Sequence, residues 1–196
     1  MGITQNEKET MIKIAEKIKG INDFFRENGT VPPNSSVPDM YSYMGKLKRI
    51  MGNFDNDMSY IGCQMAKEYL CKQHEFDSFD VSLKSQSAPG LDVDEMTVKN
   101  ERVVGEIKTT YPYGKFDLGA QQKASFRKDF KKLQDAQADF KYFFVTENRT
   151  YDIIATKYMD ELRDVKVVLL PQALDSDNEQ IETPKSQTSQ TYIPLH

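Results

Sequence analysis

Two segments in the last third of the chain constrain the fold most: FKYFFVT (140–146) and VKVVLL (165–170). Each is a nearly continuous apolar run, and the first is rich in aromatics. Strands with this pattern are buried on both faces and do not alternate between core and solvent. Between them, TYDIIATKYMDELR (150–163) carries apolar residues at helical spacing. A buried strand, a helix and a second buried strand make a crossover unit, which joins parallel strands and lays its helix on one face of the sheet.

Upstream, the pattern predicts more of the same sheet. LDVDEMTV (91–98) and RVVGEIKT (102–109) read as strands of a hairpin, and FDVSL (79–83) as a further strand before them. GAQQKASFRKDFKKLQDAQ (119–137) reads as a helix. Before residue 75 the chain is helical. Residues 5–28 place Met11, Ile14, Ala15, Ile18, Ile21 and Phe25 on one stripe, ended by Asn28-Gly29. VPPNSSVPD (31–39) is a breaker-rich loop. A second helix is expected from about Pro38 to Met51, then a break at NFDND, then a third helix from about Asp57 to Gln73 capped by Asn56 or Asp57. The expected class is α/β, a mixed central sheet flanked by helices, with an N-terminal helical part. The expected division is residues 1–55 (helical), 56–174 (core) and 175–196 (polar tail).

The hairpin carries unusual charge. Asp92 and Asp94 lie two apart on the first strand, as do Glu106 and Lys108 on the second. Period-two spacing puts each pair on one face. Leu91 and Val93 share the other face with Val103, Gly105, Ile107 and Thr109. The acids and the lysine meet across the hairpin only if its loop has an odd number of residues, most simply Lys99-Asn100-Glu101, where Asn tolerates a left-handed backbone. One carboxylate from each strand, with an ammonium beside them, suits Mg²⁺, which binds through one or two carboxylates plus substrate phosphate. That is the equipment of phosphodiester hydrolysis. The plain reading of Glu-x-Lys is an exposed cross-strand ion pair worth a fraction of a kcal/mol; the upstream Asp, the apolar opposite face and the small Gly105 distinguish this stretch from it.

Asp92, a gap of 13 residues and Glu106-Ile107-Lys108 on an apolar strand resemble the PD-(D/E)xK nuclease superfamily, and the size and helical N-terminal part are similar to its type II restriction endonucleases. The resemblance covers about residues 57–146 and implies a restriction-endonuclease-like core. It implies Asp92 and Glu106 as metal ligands, the carbonyl of Ile107 as a third, Lys108 as catalytic lysine, and Glu68 on the third helix as an added catalytic acid. The family's Pro-Asp pair is here Pro89-Gly90-Leu91-Asp92, which leaves Asp94 as the alternative first acid. The implied activity is Mg²⁺-dependent, sequence-specific cleavage of double-stranded DNA by a homodimer, with the N-terminal helical region serving for dimerisation or as a DNA clamp. Alternatives are another nuclease of the superfamily (repair, junction resolution or phage defence) or a non-catalytic DNA-binding protein of the same fold.

The net charge of −4 requires any DNA contact to come from a local basic surface. Lys123, Arg127 and Lys131 recur every four residues on one helix, with Lys128 and Lys132 alongside and Asp129 and Asp135 offsetting them. Gln121 and Gln122 stand near the helix start. The loop after Lys108 offers Thr109, Thr110, Tyr111, Tyr113 and Lys115. Thr109, Tyr113, Lys115, Gln122, Lys123 and Arg127 are the candidate DNA contacts. His74, at a helix end with no partner legible in the sequence, reads as a surface residue. Two cysteines, Cys63 and Cys71, eight apart on a helix, and two histidines leave a structural zinc site without ligands and fit the reducing cytoplasm of a prokaryotic cell. No run approaches a membrane span, and the N-terminus lacks a signal-peptide pattern.

Overall fold

The computed structural model describes residues 2–84, 89–114 and 116–175. It contains a four-stranded mixed sheet in the order β1-β2-β3-β4: β1 (Val93–Met96), β2 (Arg102–Lys108), β3 (Phe140–Val145) and β4 (Lys166–Leu169). β1 and β2 are antiparallel; β2–β3 and β3–β4 are parallel. Five helices accompany it: α1 (Gln5–Asn28), α2 (Val37–Met51), α3 (Phe54–Gln73), α4 (Ala120–Asp135) and α5 (Asn148–Lys157). The class is α/β with helices on both faces.

The two layers follow from the pleat. Val103 and Ile107 of β2, with Tyr142 and Phe144 of β3, pack against Cys63, Ala66, Tyr69 and Leu70 of α3. Val104, Phe143 and Val145 face the other way, onto Phe126, Phe130 and Leu133 of α4 and Ile153 and Ile154 of α5. Both crossover helices therefore cover one face and α3 covers the other. Gly105 makes room in the first layer: a Cβ there would stand 3.2 Å from Phe144 Cε2 and 3.4 Å from Val93 Cβ.

The segment FDVSL does not form the expected strand. Val81–Leu83 is a short 3-10 helix. Its backbone donors are taken by carboxylates: Val81 N–H by Glu7 Oε1 at 2.9 Å and Ser82 N–H by Asp80 Oδ1 at 2.8 Å. With those donors committed, no ladder can form. Phe79 and Val81 still enter the core, but from a loop. NFDND does not break the chain for long either. Helix α3 starts at Phe54, capped by Asn53, whose side chain accepts Asn56 N–H at 3.2 Å.

Helix α1 joins the core through a buried ion pair. Glu7 accepts Lys67 Nζ at 2.6 Å, Val81 N–H, and Thr4 N–H at 2.8 Å; both charged residues are buried. Helix α2 differs: it packs on α1 but buries none of its residues. The tail 176–196 lies outside the described residues. Among the described residues no helix is long and apolar enough to cross a membrane.

Candidate active site

The hairpin has the parity that the charged face requires. The register pairs Val93 with Gly105 and Asp94 with Val104. Thr97 N–H bonds Glu101 O at 2.9 Å, and Asn100 N–H bonds Thr97 O at 2.9 Å. The odd loop is thus Val98-Lys99-Asn100, one residue earlier than the simplest expectation. Asn100 is the left-handed residue, with φ 65°. Asp92 lies one step beyond Val93, just before β1, and reaches β2 next to Glu106. Asp92 Oδ2 fixes itself there by accepting Ile107 N–H at 2.8 Å.

Asp94 is engaged elsewhere. Arg102 clamps both its oxygens at 2.8 Å, and this clamp holds the Asp94 carboxyl below its usual range. Leu91 departs from the expected face: it lies before β1 and packs with Val104 in the α4 layer, whereas Val93 faces α3.

The two acids of the pair differ in exposure. Helix α4 lies across Val104, Glu106 and Lys108, and Glu106 is only 2% exposed, while Asp92 beside it is exposed. Two residues of α4 complete the cluster. Lys132 Nζ reaches Glu106 Oε1 at 2.9 Å and Asp129 Oδ1 at 2.7 Å. Asp129 Oδ2 takes Lys108 Nζ at 2.5 Å. Lys108 Nζ also lies 5.5 Å from the centre of the Phe126 ring. Lys132 is therefore no part of an outward basic stripe, and Asp129 is a buried member of the site.

Three carboxyls, Asp92, Glu106 and Asp129, share two ammoniums, Lys108 and Lys132, so full ionisation leaves surplus negative charge. Burial, and next the Asp92 carboxylate, push the Glu106 carboxyl up to about 8, against the pull of Lys132. Burial works to lower the Lys132 ammonium, but its bonds to Asp129 and Glu106 prevail and raise it. The 2.9 Å contact taken alone describes an ion pair, whereas the surplus charge favours a protonated Glu106. The upward direction stands because Asp129 divides the attention of Lys132.

Such a cluster fits a hard cation. Asp92 and Glu106 offer carboxylate oxygens, and the carbonyl of Ile107 lies between Glu106 and Lys108 in the chain. Among the described residues no group of three or more His, Cys, Asp or Glu is placed to hold a metal.

The structure does not bring Glu68 to this group. It stands on α3, the helix of the opposite layer, exposed and 3.7 Å from Lys72. Gln122 is buried and committed inward. Its Oε1 accepts Tyr113 N–H at 3.1 Å and Gly119 N–H at 3.0 Å, and its Nε2 donates to Tyr111 O at 2.8 Å. Its side chain shapes the loop after β2. Thr109 leans toward α3, where a Cβ on Gly62 would stand 3.2 Å from its Cγ2. Tyr113 is 85% exposed in the loop. Lys123 pairs with Asp117 at 2.8 Å and Arg127 with Glu161 at 3.0 Å, while Lys128 and Lys131 are exposed. Lys115 lies outside the described residues. His74 is not a plain surface residue: its Nε2 lies 2.7 Å from the Tyr142 hydroxyl and its ring packs on Phe140. A cleft of about 370 Å³ opens beside it, at the end of α3 and the hairpin turn, but no residue of the acidic cluster lines it.

The chain matches no family model, no curated protein and no solved structure.

Proposed function

We propose that the protein is a Mg²⁺-dependent endonuclease with a restriction-endonuclease-like core, cutting both strands of DNA at a specific sequence as a homodimer. One observation carries this reading: Asp92, one residue before β1, bonds Ile107 N–H on the second strand and so stands beside Glu106, with Lys108 two residues on along β2. When bound, Mg²⁺ would supply charge stabilisation for the phosphate and an activated water. Asp92 and Glu106 are the side chains that would hold it, with the carbonyl of Ile107.

The chain's own groups have distinct tasks. Asp92, anchored on Ile107 N–H, presents its remaining oxygen from the exposed edge of the site. Glu106 supplies a buried carboxylate whose ionisation the cation would favour. Lys108, steadied by Asp129, would orient the attacking water or offset the negative charge that grows on the phosphate. Hydrolysis of this kind leaves 5′-phosphate and 3′-hydroxyl ends. Lys128 and Lys131 give α4 a basic outer surface, and Lys123 and Arg127 can add to it. Their exposed ion pairs with Asp117 and Glu161 are weak enough to be exchanged for DNA phosphate. Tyr113 projects from the loop that follows Lys108. Two sites related by a two-fold axis serve the two strands of a palindrome. The α1–α2 face, where Ile18, Phe25, Val37, Tyr41 and Met44 are exposed, is the surface for that pairing.

A second reading draws on Lys132. An ammonium that stays on Glu106 would leave a DNA-binding protein that does not cut. Digestion of unmethylated plasmid and phage DNA, with Mg²⁺ or EDTA, separates these readings. Discrete fragments from wild type in Mg²⁺ alone, absent for Lys108→Ala, are expected. A smear would point to a nuclease of another role, and a folded protein that binds DNA without cutting would select the second reading.

A further inference from the structure

Lys132 Nζ occupies a small oxygen cage. Asp129 Oδ1 lies at 2.7 Å, Glu106 Oε1 at 2.9 Å and the Gly90 carbonyl at 3.3 Å. These oxygens come from α4, from β2 and from the segment leading into β1, so three parts of the fold converge on one ammonium. All three are hard donors of the type that bind divalent ions. The cage and the Asp92–Glu106 pair share Glu106, the most buried acid of the group. A cation held by that pair and the Lys132 ammonium would therefore compete for one carboxylate.

We infer that Lys132 is the resident cation of the acidic pair, displaced when a divalent ion binds, and that Asp129 keeps the displaced ammonium beside the site. The inference rests on the reading of Asp92 and Glu106 as the metal-holding pair. Two like charges cannot both neutralise one buried carboxylate without strong repulsion across a few ångströms of poorly screened space. Lys132 is the one that can leave. It is half-buried on a long flexible stem, and Asp129, three residues earlier on the same helix, retains it by a separate bond. Its departure thus exchanges only its bonds to Glu106 and Gly90 for solvent. Lys108 stays in place, because its ion-pair partner is Asp129 Oδ2 and not Glu106. The consequence is a metal site with a built-in competitor. Lys132 occupies Glu106 and Asp129 in the metal-free protein and weakens the apparent affinity for the ion. Lys132 acts through Glu106 and is a positioning residue, not a catalytic one.

Calorimetric titration with Ca²⁺ at one fixed pH, on the full chain, tests this. The proteins are wild type, Lys132→Met, and each of these combined with Asp92→Asn or Glu106→Gln. Removing a competing positive charge within a few ångströms of the ion should tighten Ca²⁺ binding about tenfold or more. The metal-free Lys132→Met protein should melt lower than wild type. Either acid substitution should abolish binding in both backgrounds. Equal or weaker Ca²⁺ binding by Lys132→Met, with binding still dependent on Asp92 and Glu106, overturns the displacement and leaves the metal site standing. Binding that is absent, or indifferent to Asp92 and Glu106, in both wild type and Lys132→Met removes the metal site and the inference with it. Should Lys132→Met not fold, Lys132→Gln, which keeps a hydrogen-bond donor without the charge, is read in the same way.

Discussion

Glu106→Gln should stabilise the metal-free protein, and the gain should grow with pH. The Glu106 carboxyl is 2% exposed and its folded value is pushed up from 4.5 to about 8 by burial and then by Asp92. A carboxyl raised in the folded state makes its full contribution to stability below its unfolded value, near pH 4.5. That contribution is lost as pH rises through the folded value, near 8, because the unfolded chain ionises first. Each pH unit in this window removes about 1.4 kcal/mol, so the step from pH 5 to pH 7.5 removes about 3 kcal/mol from wild type. Glutamine keeps the shape and an acceptor for Lys132 but does not titrate. Urea unfolding in EDTA at pH 5, 6, 7 and 7.5 measures the effect. The stability of the variant minus that of wild type should rise by about 3 kcal/mol across the series. A difference that does not change with pH would mean that Glu106 ionises in the folded protein as it does in the unfolded chain, and the surplus-charge argument would fail. Saturating Mg²⁺ at pH 7.5 should recover stability for wild type and not for the variant, since binding draws on the ionised acid.

Three further outcomes are expected. Gly105→Val would press new methyls on Phe144 and Val93, which already lie 3.2 and 3.4 Å from a Cβ position; a loss of about 1–3 kcal/mol should lower the urea midpoint. Lys67→Met would leave Glu7 buried without its cation, costing about 3–5 kcal/mol, and adding Glu7→Gln should return part of that loss in the same assay. Gln122→Ala would remove three hydrogen bonds of the 111–119 loop, and hydrogen exchange should show faster amide exchange at Tyr113 and Gly119.

Much of this architecture was legible in the residues. The runs around Phe143 and Val168 specified buried parallel strands because, beyond Lys141 and Lys166 near their starts, apolar residues follow one another on both faces, and the sheet places them so. The parity of the hairpin loop was legible too, since Asn100 marks a left-handed position. What the sequence concealed were long-range partners. FDVSL has the composition of a strand, but Glu7, more than seventy residues earlier, takes its backbone donor. His74 gave no sign of Tyr142, which lies 68 residues later.

The candidate site was legible only in half. Asp92, Glu106 and Lys108 follow from period-two spacing, but Asp129 and Lys132 were counted among the surface charges of α4. The signal was present in the helix itself. Phe126, Phe130 and Leu133 define its buried stripe, and Asp129 lies three residues after Phe126 and four before Leu133, with Lys132 three further along the same flank. Charge alone suggested the solvent side, whereas burial beside an acid on the sheet gives a lysine a partner that solvent does not. Gln122 was not legible for a related reason. A polar residue at a helix start can reach outward, but here the helix turns it toward the open donors of the preceding loop.

The most direct test of the central claim compares Asp92→Asn with Asp94→Asn in Mg²⁺-dependent cleavage of the DNA that wild type cuts. Asp92 is held beside Glu106 by its bond to Ile107 N–H, while Arg102 occupies both oxygens of Asp94. Asp92→Asn should lose cleavage by about a hundredfold or more, and Asp94→Asn, still folded, should keep most of it. Cleavage that survives Asp92→Asn and disappears with Asp94→Asn, or no cleavage of any DNA by wild type, would contradict that claim.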